Sequence, residues 1–291
     1  MMEKIKQSAI ASYAVIILMY VVATLAALFV FSFNQGGHDI LFIFLADLVA
    51  TIVIWIFGVW FSNSSIYDPY WSVAPPIILT LLFFYYGIAS TPAILLLIAI
   101  WFWAIRLTVN WMYTFPNLTH QDWRYTQYRE ESPNMLQWQI INFMGIHFIP
   151  TLVVFLAMVP AFFTLRVEAE ANIFTYLSFA LCIVAAILQL VSDIQMHQFR
   201  KNNKGKVCDS GLWKYSRHPN YLGEILLWWG IYFILISIAP QYWWTIFGPL
   251  ANNLLFVFIS IPLMEKRQLK NKPELYADYV KVTGRLLPQR R

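Results

Sequence analysis

Residues Ala9–Phe33 read AIASYAVIILMYVVATLAALFVFSF, without one charged side chain. As a helix this run is long enough to cross the roughly 30 Å hydrocarbon core of a bilayer. Lys4 and Lys6 precede it, as basic residues precede a signal peptide, but the run is too long for a signal core and is expected to remain as a span. Working outward from it, seven further apolar runs follow: Ile40–Phe61, Val73–Tyr86, Pro92–Met112, Trp138–Leu165, Ile173–Gln195, Tyr221–Ala239 and Trp243–Met264. Over all 291 residues 59% are hydrophobic and 12% charged, too little charge to solvate the surface of a soluble domain. Aromatics at 18% suit interfacial belts. The expected fold is all-α: a polytopic integral membrane helical bundle of about eight spans, with seven as the alternative. The third run is the shortest and holds Pro75 and Pro76.

The placement of charge sets the expected topology. Lys and Arg number two at the N-terminus, three in Arg106–Arg129, six in Arg200–Arg217 and eight from Lys266 onward, leaving only Arg166. Eight spans with both termini cytoplasmic gather 19 of the 20 basic residues on the inner face, as the positive-inside rule requires. Seven spans would strand the Arg200–Arg217 loop or the tail outside. No linker or repeat interrupts the chain, which reads as one membrane domain over 1–291, with 189–291 as its cofactor-binding half. Cys182 lies in a span and Cys208 in a basic loop, so neither a disulfide framework nor a metal site is expected. Membrane lipids and an apolar, lipid-like substrate are the expected partners, and nucleic acid is not.

Polar residues concentrate on the inner face, and the densest stretch is residues 189–224, QLVSDIQMHQFRKNNKGKVCDSGLWKYSRHPNYLGE. Gln189 and Asp193, four apart, share one helix face. A carboxylate one turn inside a membrane is costly without a partner or a polar ligand. Arg200, Lys201, Lys204 and Lys206 around Gly205 form a cationic stretch suited to phosphates. Pro219 stands where a helix begins, with Asn220 and Glu224 within its first turns, and a helix start favours an anion near His218–Asn220. Taken singly, each of these residues has a plainer reading. Basic residues beside spans hold lipid headgroups, and Trp213, Tyr215 and Tyr221 suit an aromatic belt. The convergence of Gln189, Asp193, Asn220 and Glu224 beside one basic loop is what marks a site.

Three other places can carry chemistry. In Tyr67-Asp68-Pro69-Tyr70-Trp71, an acid beside a phenol can polarise a carbonyl oxygen, although Asp-Pro also simply makes a turn. Arg106 can pair with Asp68 or Asp193, or snorkel. The tail, with Glu265, Arg267, Tyr276 and Tyr279, suits an amphipathic cap or a surface helix. Asp47, the one charge well inside the outer half of a span, reads as a structural carboxylate satisfied by a neighbouring helix.

On these residues, above all GLWKYSRHPNYLGE, the chain resembles the steroid 5-alpha-reductase family in its bacterial branch. The resemblance implies a helical membrane enzyme that binds NADPH from the cytoplasm and reduces the carbon–carbon double bond of an enone. It also implies the bacterial inner membrane, or alternatively the endoplasmic reticulum membrane. Carried onto this sequence, the cofactor-binding residues are Gln189, Asp193, Arg200, Lys206 (Lys for Arg), Asn220 and Glu224, with Arg217, His218 and Tyr221 from the shared motif. The acid that holds the substrate carbonyl falls on Asp68, with Tyr70 as its helper. The tyrosine that partners this acid in the animal enzymes has no equivalent, since Trp103 stands at its position.

A second family shares part of this pattern. Isoprenylcysteine carboxyl methyltransferases also carry Arg-His-Pro-x-Tyr-x-Gly, met here by Arg217, His218, Pro219, Tyr221 and Gly223, with a tail acid and paired tyrosines, met by Glu265, Tyr276 and Tyr279. That resemblance implies S-adenosylmethionine, which has no phosphate, whereas the basic run implies a phosphate-bearing dinucleotide. A non-catalytic membrane protein stands as the third reading.

Overall fold

A computed structural model describes residues 2–289; Arg290 and Arg291, two of the basic residues counted in the tail, lie outside the described residues. The elements are α1 (Met2–Gln7), α2 (Ala9–Phe31), α3 (Asp39–Phe61), α4 (Tyr70–Tyr86), α5 (Thr91–Thr114) and α6 (Trp123–Glu131). They continue as α7 (Met135–Thr164), α8 (Ile173–Asn202), α9 (Pro219–Ile238), α10 (Pro240–Asn271) and α11 (Pro273–Val282). The protein is thus an all-helical integral membrane protein. Among the described residues no strand forms, only an isolated bridge between Ser216 and Gly284.

Seven helices (α2, α3, α5, α7, α8, α9 and α10) are long and apolar enough to cross a bilayer. The short third run becomes α4, which begins at Tyr70, ahead of the expected Val73, because Pro69 supplies the first carbonyl acceptor to the amides of Ser72 and Val73. Its 17 residues reach about 25 Å, short of the roughly 30 Å core. Pro75 and Pro76 within it cannot donate to the carbonyls one turn earlier.

Local chemistry sets the helix ends. Ser8 caps α2 through Ala11 N at 3.3 Å, and Asn172 forms a reciprocal capping box with Thr175 at the start of α8. Pro219 and Pro273 occupy the first positions of α9 and α11, where a missing N–H costs nothing. Residues Ile141–Phe148 of α7 and Phe256–Ser260 of α10 widen into π-helical turns. Each widening stands immediately before a proline-containing turn, at Pro150 and Pro262, where the regular hydrogen-bond ladder must be broken.

The chain forms two compact units. Unit 1 comprises the residues up to Ile78 together with Leu107–Phe155; unit 2 comprises Leu79–Arg106 and everything from Leu156. In unit 1, α2 lies along α3, and a core of Ile16, Met19, Ile54, Ile66, Tyr67 and Leu118 is buried. In unit 2, α8 lies along α9, and glycines permit the approach: a Cβ at Gly230 would meet Ser178 O at 3.2 Å, and one at Gly223 would meet Ala185 O at 2.7 Å. The same approach brings Gln189 against α9.

Candidate functional site

Unit 2 gathers its polar groups around one guanidinium. Arg106, near the end of α5, is buried, with a side chain 6% exposed. Its Nη1 donates to Asp193 Oδ2 at 3.0 Å, its Nη2 donates to Gln189 Oε1, and Nη2 lies 3.7 Å from Glu224 Oε2. Gln189 and Asp193 reach it together because their four-residue spacing puts both on one face of α8. Glu224, one turn into α9, also accepts from the indoles of Trp103 (2.8 Å) and Trp228 (2.9 Å), whose rings meet edge to face at 5.3 Å. Asn220 hydrogen-bonds Asp193, and Arg200 interacts with it electrostatically. Four of the polar residues expected to form a site therefore converge, and Arg106, which the sequence left between Asp68, Asp193 and solvent, belongs with Asp193. Among the described residues two buried donors in this cluster, Arg106 Nε and Gln189 Nε2, have no acceptor. Buried donors are seldom left unspent in a scaffold.

The basic stretch leaves the end of α8 exposed: Arg200, Lys204 and Lys206 all face solvent, with Gly205 at φ +81° making the turn. Beyond it the Arg-His-Pro segment is tied to the tail. Arg217 Nε donates to Glu265 Oε1 at 2.8 Å, and Nη1 to Thr283 O at 2.5 Å. His218 Nε2 lies 3.2 Å from the same Glu265 oxygen, and its ring stacks on Tyr221 at 5.3 Å. Burial lowers the His218 pKa, and Glu265 partly offsets this. Tyr279 donates to Trp213 O, and the amides of Arg217 and Gln289 bond Gly284 O and Tyr215 O. The tail is thus a clamp, with Tyr276 and Tyr279 on its buried face and Leu275 on its exposed one.

Unit 1 holds a second polar group of residues. The turn Ser64–Tyr67 is stitched to the loop before α6: Asn63 donates to Leu118 O and His120 O, each at 2.8 Å, and Ser65 Oγ accepts from Asp122 N at 2.8 Å. This stitching delivers Tyr125, on α6, to Asp68, where the phenol donates to Oδ1 at 2.5 Å. Arg124 forks onto Asp122 at 2.8 and 3.2 Å. Asp68 keeps part of its surface open, yet the protein packed round its carboxyl raises its pKa to about 7, against the pull of Arg124 and the Tyr125 hydrogen bond. Tyr70 turns elsewhere, donating to Asp47 Oδ1 at 2.6 Å, so Asp47 is satisfied from a neighbouring helix as its sequence context suggests. Tyr125 was not singled out in the sequence: it lies 57 residues from Asp68, in a polar segment without apolar periodicity.

Comparison with known proteins adds a family match. A family model described as "Protein of unknown function (DUF1295)" matches residues 54–283. A Schizosaccharomyces pombe protein described as uncharacterised is 25% identical, over 81% of this chain and 76% of the yeast protein. No solved structure matches the chain.

Proposed function

The chain belongs to the DUF1295 family, and we propose that it is an NADPH-dependent membrane reductase of the carbon–carbon double bond in an apolar enone. One observation carries the reading. An exposed cationic segment, Arg200 to Lys206, runs off the end of α8, whose Gln189 and Asp193 join Arg106 in a buried cluster where Arg106 Nε and Gln189 Nε2 remain unspent among the described residues. Such a donor set suits a dinucleotide: cations for phosphates, and buried donors with the Asp193 carboxylate for hydroxyls and a carboxamide. Arg200, Lys204 and Lys206 would hold phosphate; Gln189, Asp193, Asn220 and Arg106 would hold the uncharged end. Glu224, already shared by two indoles and Arg106, serves as the fixed wall behind them.

When bound, the reduced cofactor supplies a hydride for the β carbon of the enone. Asp68, whose raised pKa of about 7 keeps a large share of it protonated near neutrality, would donate to the carbonyl oxygen on which charge gathers. Tyr125, bonded to one carboxyl oxygen, leaves the other to carry that proton and fixes its direction. Tyr70, the helper suggested by the sequence, is engaged with Asp47.

A thermal-shift titration of the full chain in detergent tests the assignment. NADPH should stabilise more than NADH, and Arg200→Ala should weaken its binding by about 1–1.5 kcal/mol, the low end for a charge-assisted contact because Arg200 is exposed. Stabilisation by S-adenosylmethionine in place of NADPH would overturn it. That second reading is favoured by the meeting of Arg217, His218 and Glu265 with the tail tyrosines.

We also place both termini and the 196–219 loop on the cytoplasmic side, with α4 completing eight crossings. This rests on the distribution of basic residues. Cysteines introduced at Gly36 and Asn203 should then label from opposite faces; labelling from one face would remove the eight-span arrangement.

A further inference from the structure

One carboxylate takes no part in the chemistry above. Asp47 lies within α3, 4% exposed, and among the described residues no cation forms an ion pair with it. An ionised carboxylate so placed is costly, and inside membranes such groups mark relays and pathways. Its contacts lead into a line of hydroxyls. Tyr70 Oη donates to Asp47 Oδ1 at 2.6 Å and lies close enough to the Thr51 hydroxyl to interact with it. Thr51 Oγ1 is 2.9 Å from Thr151 Oγ1, which is 2.8 Å from Tyr67 Oη. None of the five residues is more than 7% exposed, and all belong to unit 1. Beside the far end, the His147 ring lies 4.6 Å from that of Tyr67. Its Nδ1 donates to Asn142 O at 2.9 Å, which leaves Nε2 a buried lone pair without a partner among the described residues.

We propose that Asp47, Tyr70, Thr51, Thr151 and Tyr67 form a buried proton relay, with Asp47 as its reservoir. Every hydroxyl in the line can donate and accept at once, as a relay requires. Once the Tyr70 hydroxyl has rotated to accept from the Asp47 carboxyl, in one transfer the Tyr67 O–H breaks as its proton passes to a water molecule. A new O–H forms on Tyr67 with the proton of Thr151, which takes that of Thr51, which takes that of Tyr70, which takes that of the Asp47 carboxyl. Asp47 is left as carboxylate and nothing is oxidised; the same steps reversed, with a proton drawn from water, restore it. A network serving only to join α3, α4 and α7 would need hydrogen bonds but no titratable group at its buried end. The use of this proton to finish the enone reduction at the α carbon rests on the reductase reading; the relay itself does not.

The test therefore reads the relay without the reaction. In nanodiscs holding the full chain, the carboxylic C=O infrared band lost in Asp47→Asn identifies the protonated Asp47, and its shift in D2O times exchange. The band should be present and deuterate rapidly. Thr51→Val should delay deuteration about tenfold or more, toward the rate of local unfolding, while Thr51→Ser restores it. Should Thr51→Val not fold, Tyr67→Phe interrupts the line at its other end. Absence of the band in the parent, or deuteration of the interrupted variants at the parental rate, overturns the relay. A second arm measures reduction of progesterone, as an enone probe, with NADPH. Thr51→Val should slow it and enlarge the solvent isotope effect with NADPH affinity unchanged. A parent that exchanges rapidly yet binds no NADPH would remove the reductase reading and leave the relay; an active parent with an unprotonated Asp47 would do the reverse.

Discussion

In unit 2 the carboxylates of Asp193 and Glu224 share the guanidinium of Arg106, whereas in unit 1 Asp47 and Asp68 are each met by a phenol. A guanidinium cannot be deprotonated in a protein, so its charge favours the ionised form of the acids it holds. A phenol can give or take a hydrogen bond with either form of the acid and leaves the proton free to move. The same residue type is therefore used in two ways. Unit 2 sets its acids on a buried cation, and unit 1 meets its acids with phenols, which on the proposed reading can pass a proton.

The sharpest way to break this contrast is to remove the guanidinium. Arg106→Ala would leave Asp193 and Glu224 buried together without their cation, at a cost of about 3–5 kcal/mol in unfolding free energy. Denaturant unfolding in bicelles measures it. If stranded charge is the cause, adding Asp193→Asn to Arg106→Ala should recover part of the loss. A variant as stable as the parent would mean that these acids are already neutral, and the distinction between the units would fall.

Much of the membrane architecture was legible because its signal is local. An apolar run of spanning length has few alternatives, and every expected span appears as a helix with ends shifted by a few residues. The widest shifts occur where helices run on into polar sequence, as α8 does to Asn202 and α10 to Asn271. The Gln189/Asp193 pair was legible for the same reason, since four-residue spacing decides which face two side chains share. Other features depend on tertiary contact and left little trace. Thr51 and Thr151 read as ordinary members of apolar runs, and only the packing of α3 on α7 makes them adjacent. Tyr125 sits in the segment WRYTQYREE, where nothing separates it from Tyr128 until Asp122 caps the helix and aims one phenol at Asp68. The division into two units was likewise hidden, because its boundaries fall inside helices rather than at linkers.

Within unit 1 the contrast is sharpened at Asp68, first by removing its proton and then by shifting it. Asp68→Leu should slow enone reduction by about 10²–10³-fold, as for loss of one donor to a developing oxyanion, with NADPH affinity unchanged. A parental rate would make Asp68 a turn residue. The smaller effect comes from Tyr125→Phe, and its sign follows from the hydrogen bond. The Asp68 pKa stands at about 7, raised by burial, and the Tyr125 phenol pulls against that rise by donating to the charged form. In the proposed mechanism the protonated acid is the active form, so activity should be full below about pH 7 and decline above it. Without the phenol the carboxylate loses a donor, the pKa moves further up, and the decline should shift to higher pH. Folding stability follows the same proton. A carboxyl whose pKa is raised on folding favours the folded state most below its unfolded value, and that contribution is lost as pH rises toward about 7. Melting temperature should therefore fall with pH across that window in the parent, keep falling to higher pH in Tyr125→Phe, and lose this component in Asp68→Asn. A pH–rate midpoint that moved down in Tyr125→Phe would mean that the phenol stabilises the protonated acid, and the assignment of a mobile proton to Asp68 would have to be withdrawn.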